Sequence, residues 1–515
     1  MQNKITKLIV LLSIILFGSC NQQIVEIPKS VVPILKTNNS ELDTIAHTLN
    51  IAIGDIVTAI RPCSKGLLKE EKPTIFAGID YYGPWTRDAS VNVMNGCGLL
   101  FPDVAKNTLI AQLQNDEDGL RIGGQYWDSP LWTIGSWQYY LYTGDKEFLK
   151  TVLEASLNQL KYLESTEYDE ERGLFRGASF FNDGVSGYPK MYSNTGIYEG
   201  GEWVSDIMKW AHHNPELRHP KGEGLPMMAL STNCIYYRAY ALLDSIANVL
   251  GKDISSFKGV EKAGKLKKAI NDNFWNEEKG TYIYLVDPNG NCEYQEGGGL
   301  SMAVLWDVAD ADKARRIFET THIEPAGLPT IYPSFPRYVD ADKKHYGRHS
   351  GTIWTQINGF WTMAAKKYRN TEIFYNDFNN IGGFAFRDRQ FREMFHPVTG
   401  MPYGGIQENN DTSWVEWKST ERQVWGAASY VSMVLRGMIG MQFTSLGINF
   451  NPLLDKEYEN LRLLGLNYRE MVLDIYITGE GDSVESFSVN DKERQNAFLS
   501  CEDKGYKKIE IHLSN

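Results

Sequence analysis

The feature that most constrains the fold is a change in the periodicity of apolar residues near residue 440. Upstream, from about residue 40, apolar residues recur at the three- and four-residue intervals of amphipathic helices. The clearest predicted helix carries apolar residues on one face from Ile235 to Leu250. Ser231 or Thr232 would cap its start and Gly251 would end it. The first 440 residues are therefore expected to be mostly helical.

Two more helices are predicted, one after Pro102 and one from about Glu421 to Arg436. Downstream of residue 440 the apolar residues alternate instead, over 473–477 and again over 509–513. Such alternation is typical of half-buried strands. The tail of the chain is therefore expected to form a small antiparallel β-domain.

The loops between the predicted helices are long and rich in Gly, Trp, Tyr and Asp. No repeat of fixed period, as in a solenoid, occurs along the helical part. Together these features favour a closed ring of helical hairpins whose loops build one pocket. We expect a helical domain over 20–440 and the β-domain over 441–515.

The first 19 residues have the pattern of a signal peptide. Lys4 and Lys7 precede an apolar run from Leu8 to Phe17, which is too short to span a bilayer as a mature helix. Gly18 and Ser19 stand directly before Cys20, as in the lipobox of bacterial lipoproteins. We expect an exported protein that is lipidated at Cys20 and anchored to a membrane of the bacterial cell envelope, at the periplasmic face or the cell surface. An ordinary cleaved signal is the alternative.

The formal net charge of −12 over 515 residues is spread along the chain. An acidic chain of this kind is a poor partner for nucleic acid. The six cysteines form no CxxC pair and no Cys/His pattern of a metal site, so we expect no disulfide framework and no zinc. No phosphate loop or dinucleotide fingerprint occurs, and no cofactor is expected.

Aromatic residues stand beside acidic and basic residues in two predicted loops, 81–88 (Tyr-Tyr-Gly-Pro-Trp-Thr-Arg-Asp) and 126–132 (Tyr-Trp-Asp-Ser-Pro-Leu-Trp). Sugars present apolar C–H faces, which stack on flat rings, and hydroxyl edges, which need Asp, Arg or Asn as hydrogen-bond partners. These loops therefore favour an oligosaccharide or polysaccharide as the binding partner.

Four stretches, taken in their order along the chain, resemble the six-hairpin glycosidases. This superfamily includes glycoside hydrolase families 63 and 37, glucoamylases and the glucosidase domain of glycogen-debranching enzymes. The stretches are 85–88, 351–358, 393–400 and 425–428, and 461–469 is similar to the β-strands that follow the toroid in related enzymes. The resemblance implies an (α/α)6 toroid over roughly 75–440, and hydrolysis of a glycosidic bond by two carboxyl groups.

The resemblance places the general base at Glu393, ahead of Pro397 and Gly400, and the proton donor at Asp183, in the loop before the helix predicted near residue 230. Neighbouring Phe180 and Phe181 would desolvate the donor and so raise its pKa. Other acids remain open for both roles. They are Glu416 and Glu421 for the base, and Glu199, Glu202 and Asp206 for the donor.

Further residues are expected to bind substrate, with Arg87 and Asp88 near the closed end of the pocket. The full set is Trp85, Arg87, Asp88, Trp127, Asp128, Glu202, Arg348, Trp354, Gln356, Asn358 and Glu421. Structural roles compete with these assignments: Asp88 would cap a helix starting at Ala89, and Trp354 would belong to the core. His349 is more simply a satisfied polar residue than a catalyst.

The leading hypothesis is an exo-acting, inverting, α-glucosidase-like hydrolase that releases a terminal sugar from an oligo- or polysaccharide. Inversion, which the resemblance implies, predicts that the two carboxyl groups lie about 6.5–9.5 Å apart. One alternative is a polysaccharide lyase or sugar epimerase on the same toroid, in which Arg348 would neutralise a uronate and His349 or Tyr346 would remove a proton. Another is a surface glycan-binding lipoprotein without catalysis.

Overall fold

The structure is a computed structural model, and it describes residues 33–36, 43–117, 119–195, 206–339, 345–410, 413–455, 458, 460–481 and 483–514. The predicted signal peptide, Cys20, Glu199 and Glu202 lie outside these residues.

Twelve of the helices in the described residues build the main body of the fold. They are α1 (Asp43–Thr58), α2 (Thr86–Asn92), α3 (Pro102–Ile110), α4 (Asp128–Thr143), α5 (Lys146–Thr166), α6 (Leu230–Leu250), α7 (Gly259–Phe274), α8 (Gly297–Leu305), α9 (Ala311–Thr320), α10 (Thr355–Lys367), α11 (Thr371–Asp388) and α12 (Val424–Ser432). A π-helical turn continues α2 at Val93–Cys97 and another continues α12 at Met433–Met438.

The even-numbered helices form a closed inner ring. Each packs on the next, from α2 through α4, α6, α8 and α10 to α12, and α12 packs back on α2. The odd-numbered helices lie outside, with α3 and α5 between inner helices, α7 on α6, α11 on α10 and α1 on α12. Phe318 of α9 meets Trp361 of α10, with ring centroids 5.0 Å apart. This arrangement is the (α/α)6 toroid that the sequence predicts.

The start of α6 fixes the loop that carries Asp183. Gly251 ends this helix in a left-handed conformation, as predicted, but the predicted N-cap is wrong because Ala229 occupies that position. The two hydroxyls of the first turn contact the Asp183 loop instead. Ser231 Oγ accepts a hydrogen bond from the Phe180 N–H (2.9 Å), and Thr232 Oγ1 donates one to the Ala178 carbonyl (2.6 Å).

Nine strands pack at one side of the ring. They are β1 (Ile34–Lys36), β2 (Met441–Thr444), β3 (Gly447–Phe450), β4 (Leu461–Tyr468), β5 (Met471–Gly479), β6 (Ser483–Val489), β7 (Lys492–Glu493), β8 (Phe498–Ser500) and β9 (Gly505–Ser514), all within the described residues. One sheet has the order β1-β4-β5-β9-β6-β7 and the other has the order β2-β3-β8. The expected antiparallel pairing holds for every neighbouring pair except β5 and β9, which are parallel. In addition, β1 joins this sheet from the N-terminal side of the ring, so residues 441–515 do not form it alone.

Short strand pairs brace the loops of the ring. They are Ile60–Cys63 with Lys72–Ile75, Leu113–Asp116 with Gly119–Ile122, Tyr168–Asp169 with Leu174–Phe175, Met228–Ala229 with Leu285–Val286, Trp275–Asn276 with Thr281–Tyr282, Gln295–Glu296 with Ile331–Tyr332, Ile353–Trp354 with Met394–Phe395, and Ile406–Asn410 with Ser413–Glu416. The pair formed by 353–354 and 394–395 matters most for the site, because it brings the loop before α10 beside the loop before α12. Over the described ranges, no helix has the length and apolar character needed to cross a membrane.

Candidate active site

A cavity of about 490 Å³ opens at the N-terminal ends of the inner helices. Arg87 and Asp88 reach it from the first turn of α2, and Asp183 from the loop held by the start of α6. Arg348 comes from the loop before α10 and Glu393 from the loop before α12. Helix N-termini carry partial positive charge, so this end of the ring favours carboxylates.

Asp183 lies beside an arginine and a histidine. Its Oδ2 accepts a hydrogen bond from Arg87 Nη2 (2.8 Å), and its Oδ1 lies 3.7 Å from His349 Nε2. Burial raises the pKa of Asp183; the charges of Arg87 and Arg348 oppose this rise, and the carboxylate of Glu393 adds to it. A buried carboxyl group whose pKa is raised can carry a proton to a substrate.

The loop around Asp183 is fixed by its backbone. Phe181 has a φ of 54°, which is uncommon for a residue other than glycine. The Asp183 carbonyl accepts a hydrogen bond from the Ile207 N–H (2.7 Å). At Gly184 a Cβ atom would lie 2.2 Å from Gln407 Oε1 and 2.7 Å from His349 Nδ1, so only glycine fits there without a shift of its neighbours.

Glu393 accepts hydrogen bonds from three side chains. Tyr81 Oη donates to Oε1 at 2.6 Å, Gln423 Nε2 donates to the same oxygen at 3.4 Å, and Arg348 Nη2 donates to Oε2 at 3.2 Å. The residue is 1% exposed. Three donors around one carboxylate fix its orientation and supply its buried charge with partners.

Two indole rings flank the arginine that holds Glu393. The Arg348 guanidinium carbon lies 5.2 Å from the Trp354 ring centroid and 4.7 Å from that of Trp417. The ring of His349 stacks on Trp354, with centroids 5.1 Å apart. Burial lowers the pKa of His349 well below its usual value, and the nearby arginines add to this, so its imidazole is neutral.

The mouth of the cavity is aromatic. Trp85 is 48% exposed there, and Tyr82 is fully exposed. The Arg87 guanidinium carbon lies 5.5 Å from the Trp85 ring centroid. Exposed rings at the mouth of a cavity with a charged floor suit a sugar, which has an apolar face and a hydroxyl edge.

Arg87 is surrounded by carboxyl groups. Burial raises the pKa of Asp88 to about 7 and the pKa of Asp128 to about 6, although the charge of Arg87 opposes both shifts. Asp128 Oδ2 accepts a hydrogen bond from the Gln125 N–H (2.9 Å). Asp88 lies inside α2, which begins at Thr86, so it is not the N-cap. This cluster keeps a guanidinium charge next to Asp183.

Among the predicted residues that the structure describes, seven line the cavity. They are Trp85, Arg87, Asp88, Asp183, Arg348, Trp354 and Glu393. Of the alternative donors, Asp206 also lines it, and burial followed by the charge of Asp183 raises the pKa of Asp206 to about 6.

The other predicted residues lie elsewhere. Trp127 is fully buried in the core, and Gln356 is buried inside α10. Asn358 holds the chain near Leu328, with hydrogen bonds to its N–H (2.7 Å) and its carbonyl (3.1 Å). Asp128 does not line the cavity. Glu421 lines a neighbouring cavity and pairs with Arg392 at 3.0 Å.

Sequence reasoning missed several residues that shape the site. Tyr81 and Gln423 contact Glu393, and Gln125, Trp417 and Trp425 line the cavity. Tyr81 stands in the aromatic loop that the sequence singles out, so a signal for it exists. Gln423 stands between two short motifs and carries no such signal.

Comparison with known proteins identifies a family. A protein-family model described as mannosylglycerate hydrolase MGH1-like glycoside hydrolase domain matches residues 100–422. A mannosylglycerate hydrolase from Rubrobacter radiotolerans is 28% identical over 185 residues, which cover 33% of this chain and 39% of that protein. The match thus spans well under half of the relative.

Solved structures share the fold. A GH63 mannosylglycerate hydrolase from Thermus thermophilus, in complex with glucose, superposes with a TM-score of 0.56 at 14% identity, covering 75% of this chain and 100% of that one. A sialidase gives a TM-score of 0.63 at 15% identity, covering 92% and 41% of the two chains. A GH78 rhamnosidase of Bacillus sp. GL1 gives 0.54 at 12% identity, covering 94% and 44%.

Proposed function

The chain belongs to the mannosylglycerate hydrolase MGH1-like glycoside hydrolase family, and from this premise we propose that it is an exo-acting, inverting α-glycosidase. In this proposal Asp183 is the proton donor and Glu393 is the general base. The observation that supports it best is that both carboxyl groups line one cavity, each bound by a different arginine.

The two carboxyl groups have the surroundings that their roles require. Asp183, with its raised pKa, gives a proton to the glycosidic oxygen as the bond to the leaving group breaks. Glu393 takes a proton from a water molecule, whose oxygen attacks the anomeric carbon from the opposite face. Tyr81, Gln423 and Arg348 hold the base in the orientation that this step needs.

The shape of the cavity supports exo action. Its floor consists of side chains that are almost completely buried, including Asp88 and Trp354, while Tyr82 and Trp85 are exposed at its mouth. A cavity with a buried floor suits the end of a glycan rather than its middle. The volume of about 490 Å³ falls within the roughly 300–1,000 Å³ typical of small-molecule sites.

The proposed sugar is an α-linked glucose, as the sequence resemblance implies. A second candidate substrate is mannosylglycerate, which the names of two relatives carry. Lys209 lines the cavity and would face the carboxylate of a glycerate leaving group.

The experiment is a screen of aryl α- and β-glycosides, α-linked glucose disaccharides and mannosylglycerate, with NMR to identify the anomer released first. The proposal expects turnover of an α-glycoside with release of the β-anomer. Asp183→Asn and Glu393→Gln should each lower kcat by about 10²–10⁴-fold. Glu421→Gln is the matched control for the base, because Glu421 pairs with Arg392 outside the cavity. Release of the α-anomer, or normal turnover by Glu393→Gln, would refute the assignment.

Asp206→Asn separates the two candidate donors. If Asp183 is the donor, Asp206→Asn keeps most of the activity. If instead Asp206→Asn loses the activity and Asp183→Asn keeps it, Asp206 is the donor. A protein that binds glycans but turns over none of these substrates would be the non-catalytic alternative.

Export and lipid anchoring are proposed on the basis of residues 1–20 alone. Labelling of expressing cells with a tagged fatty acid should mark the protein, and Cys20→Ala should abolish the label. A label that survives this substitution would exclude Cys20 as the anchor.

A further inference from the structure

A second cavity, of about 760 Å³, lies at the opposite end of the ring from the catalytic one. Its walls are the later parts of α4, α8 and α10, α6 from Arg238 to Val249, the π-helical turn after α12, and strand β2. Trp354, at the start of α10, lines the catalytic cavity, and Met363 lines the second one nine residues later, which is about 14 Å along the helix. Nothing in the proposed hydrolysis uses this second cavity.

The charge of the second cavity is opposite to that of the chain. Four basic residues line it, Arg238, Lys366, Lys367 and Arg436, and none of its described lining residues is an aspartate or a glutamate. The chain as a whole carries a net charge of −12. A concentration of cations in a concave site attracts anions.

The two lysines have a structural explanation. Lys366 Nζ donates a hydrogen bond to the Asn451 carbonyl (2.6 Å), and Lys367 Nζ donates to the Leu305 carbonyl (3.0 Å) and pairs with Asp307 (2.6 Å). Cations at helix C-termini are expected, because those ends carry partial negative charge. The lysines therefore do not by themselves call for a ligand.

Arg238 is not explained in this way, whereas Arg436 does lie in the last turn of its helical segment. Arg238 lies in the middle of α6, and its Nε is buried without a hydrogen-bond partner among the described residues. The hydrogen bond from Arg436 Nη1 to Ser432 Oγ is long, at 3.5 Å. Burial lowers the pKa of Arg238; Tyr237 and Asp307 oppose this lowering, and the charge of Arg436 adds to it. Both arginines line the same cavity.

Arg436 also stands on a π-helical turn, Met433–Met438. Such turns are rare and occur frequently at functional sites. Two guanidinium groups in one cavity are the arrangement that binds phosphate or carboxylate oxygens by paired hydrogen bonds.

We propose that this second cavity binds a sugar-sized organic anion, whose phosphate or carboxylate group lies between Arg238 and Arg436. The size of the cavity exceeds what an inorganic ion needs, and Trp137 and Phe443 supply aromatic surface for the rest of the ligand. The site is separate from catalysis, so its failure would leave the proposed hydrolysis untouched.

The test is calorimetric titration of the full chain at low salt with four probes: glucose 6-phosphate, glucuronate, inorganic phosphate and glucose. Because glucose is the proposed product at the catalytic cavity, any binding of glucose should be unchanged in the arginine variants. At least one organic anion should bind saturably at the second cavity. Arg238→Gln and Arg436→Gln should each weaken that binding about tenfold or more, since a hydrogen bond to a charged group is lost. Arg315→Gln is the matched control, because Arg315 is exposed and pairs with Glu319 on α9. It should change the affinity less than twofold.

Which organic anion binds more tightly decides between a phosphate and a carboxylate ligand. Three results overturn the proposal. The first is that neither organic anion binds saturably to the unmodified protein. The second is that the arginine variants bind the organic anion as tightly as the unmodified protein does, and the third is that inorganic phosphate binds as tightly as glucose 6-phosphate. The first needs no variant, so it applies even if a substitution impairs folding. Arg238→Lys keeps the charge and should retain more affinity than Arg238→Gln.

Discussion

Replacing Arg87 with methionine should move the alkaline limb of the pH–rate profile to higher pH. Arg87 Nη2 lies 2.8 Å from Asp183 Oδ2, and its charge holds the pKa of Asp183 below the value that burial alone would give. A proton donor is active only while it is protonated, so activity falls as the pH rises through its pKa. Without the guanidinium charge, Asp183 keeps its proton to higher pH.

The size of the shift follows from the geometry. Charge centres roughly 4 Å apart interact by about 4 kcal/mol at an effective dielectric constant of about 20, which corresponds to about 3 pKa units. The side chains of Arg87 and Asp183 are only 10% and 12% exposed, so water screens them weakly. Arg348 remains and still lowers the pKa of Asp183. We therefore expect a shift of about 1–3 pH units.

The assay is kcat/KM for a chromogenic aryl glycoside from about pH 4 to 10, a range that brackets the usual pKa values of catalytic carboxyl groups, with circular dichroism to verify folding. Arg87→Lys keeps a positive charge and should leave the limb within about half a unit of the original. Arg392→Met removes the cation that pairs with Glu421, outside the cavity, and should not move the limb. A limb that stays in place in Arg87→Met, or moves to lower pH, would refute the pairing of Arg87 with the proton donor.

Three further predictions concern activity and stability. Tyr81→Phe removes the 2.6 Å hydrogen bond to Glu393 and should lower kcat/KM about 10–100-fold, whereas Tyr82→Phe, at a fully exposed position, should change it less than twofold; similar effects of the two variants would contradict the role of Tyr81. Gly184→Ala puts a Cβ too close to Gln407 Oε1 and should lower kcat at least tenfold by displacing Asp183. Gly83 has open space around it, so Gly83→Ala should leave kcat unchanged. Burial raises the pKa of Asp377 from 3.8 to about 7, so the unfolded chain loses this proton before the folded one, and stability falls as the pH rises from about 4 to about 7. Asp377→Asn should therefore stabilise the fold by up to about 4 kcal/mol at about pH 8 and by almost nothing at about pH 4, measured by urea unfolding; an equal effect at both pH values would contradict this.

The architecture could be predicted because it depends on local patterns. Each of these patterns lies within one continuous segment of sequence. Examples are the apolar face of α6 with its terminal Gly251, and the alternation of apolar residues in β5 and β9. Glu393 could be located for the same reason, since its motif is contiguous. The parallel pairing of β5 with β9, and the addition of β1 to the same sheet, depend on how distant segments meet, and no local pattern shows them.

The membership of the site could be predicted only in part. Trp127 and Trp354 each stand directly before an inner helix, yet Trp127 is buried in the core and Trp354 lines the cavity. Asn358 belongs to a motif stretch but points toward Leu328. The rotation of each helix in the ring decides which side chain faces the cavity, and this rotation follows from packing against two neighbours rather than from sequence spacing.

The return of α12 to α2 has a consequence for when the protein becomes active. Tyr81 stands just before the first inner helix. It donates to Glu393, which is 312 residues later, in the long loop between α11 and the last inner helix. A chain is synthesised from its N-terminus and its early helices can pack first. Glu393, the proposed general base, nevertheless lacks its closest donor until the last inner helix meets the first. We therefore expect full activity only after this final docking event, so that the return of full activity during refolding would report it.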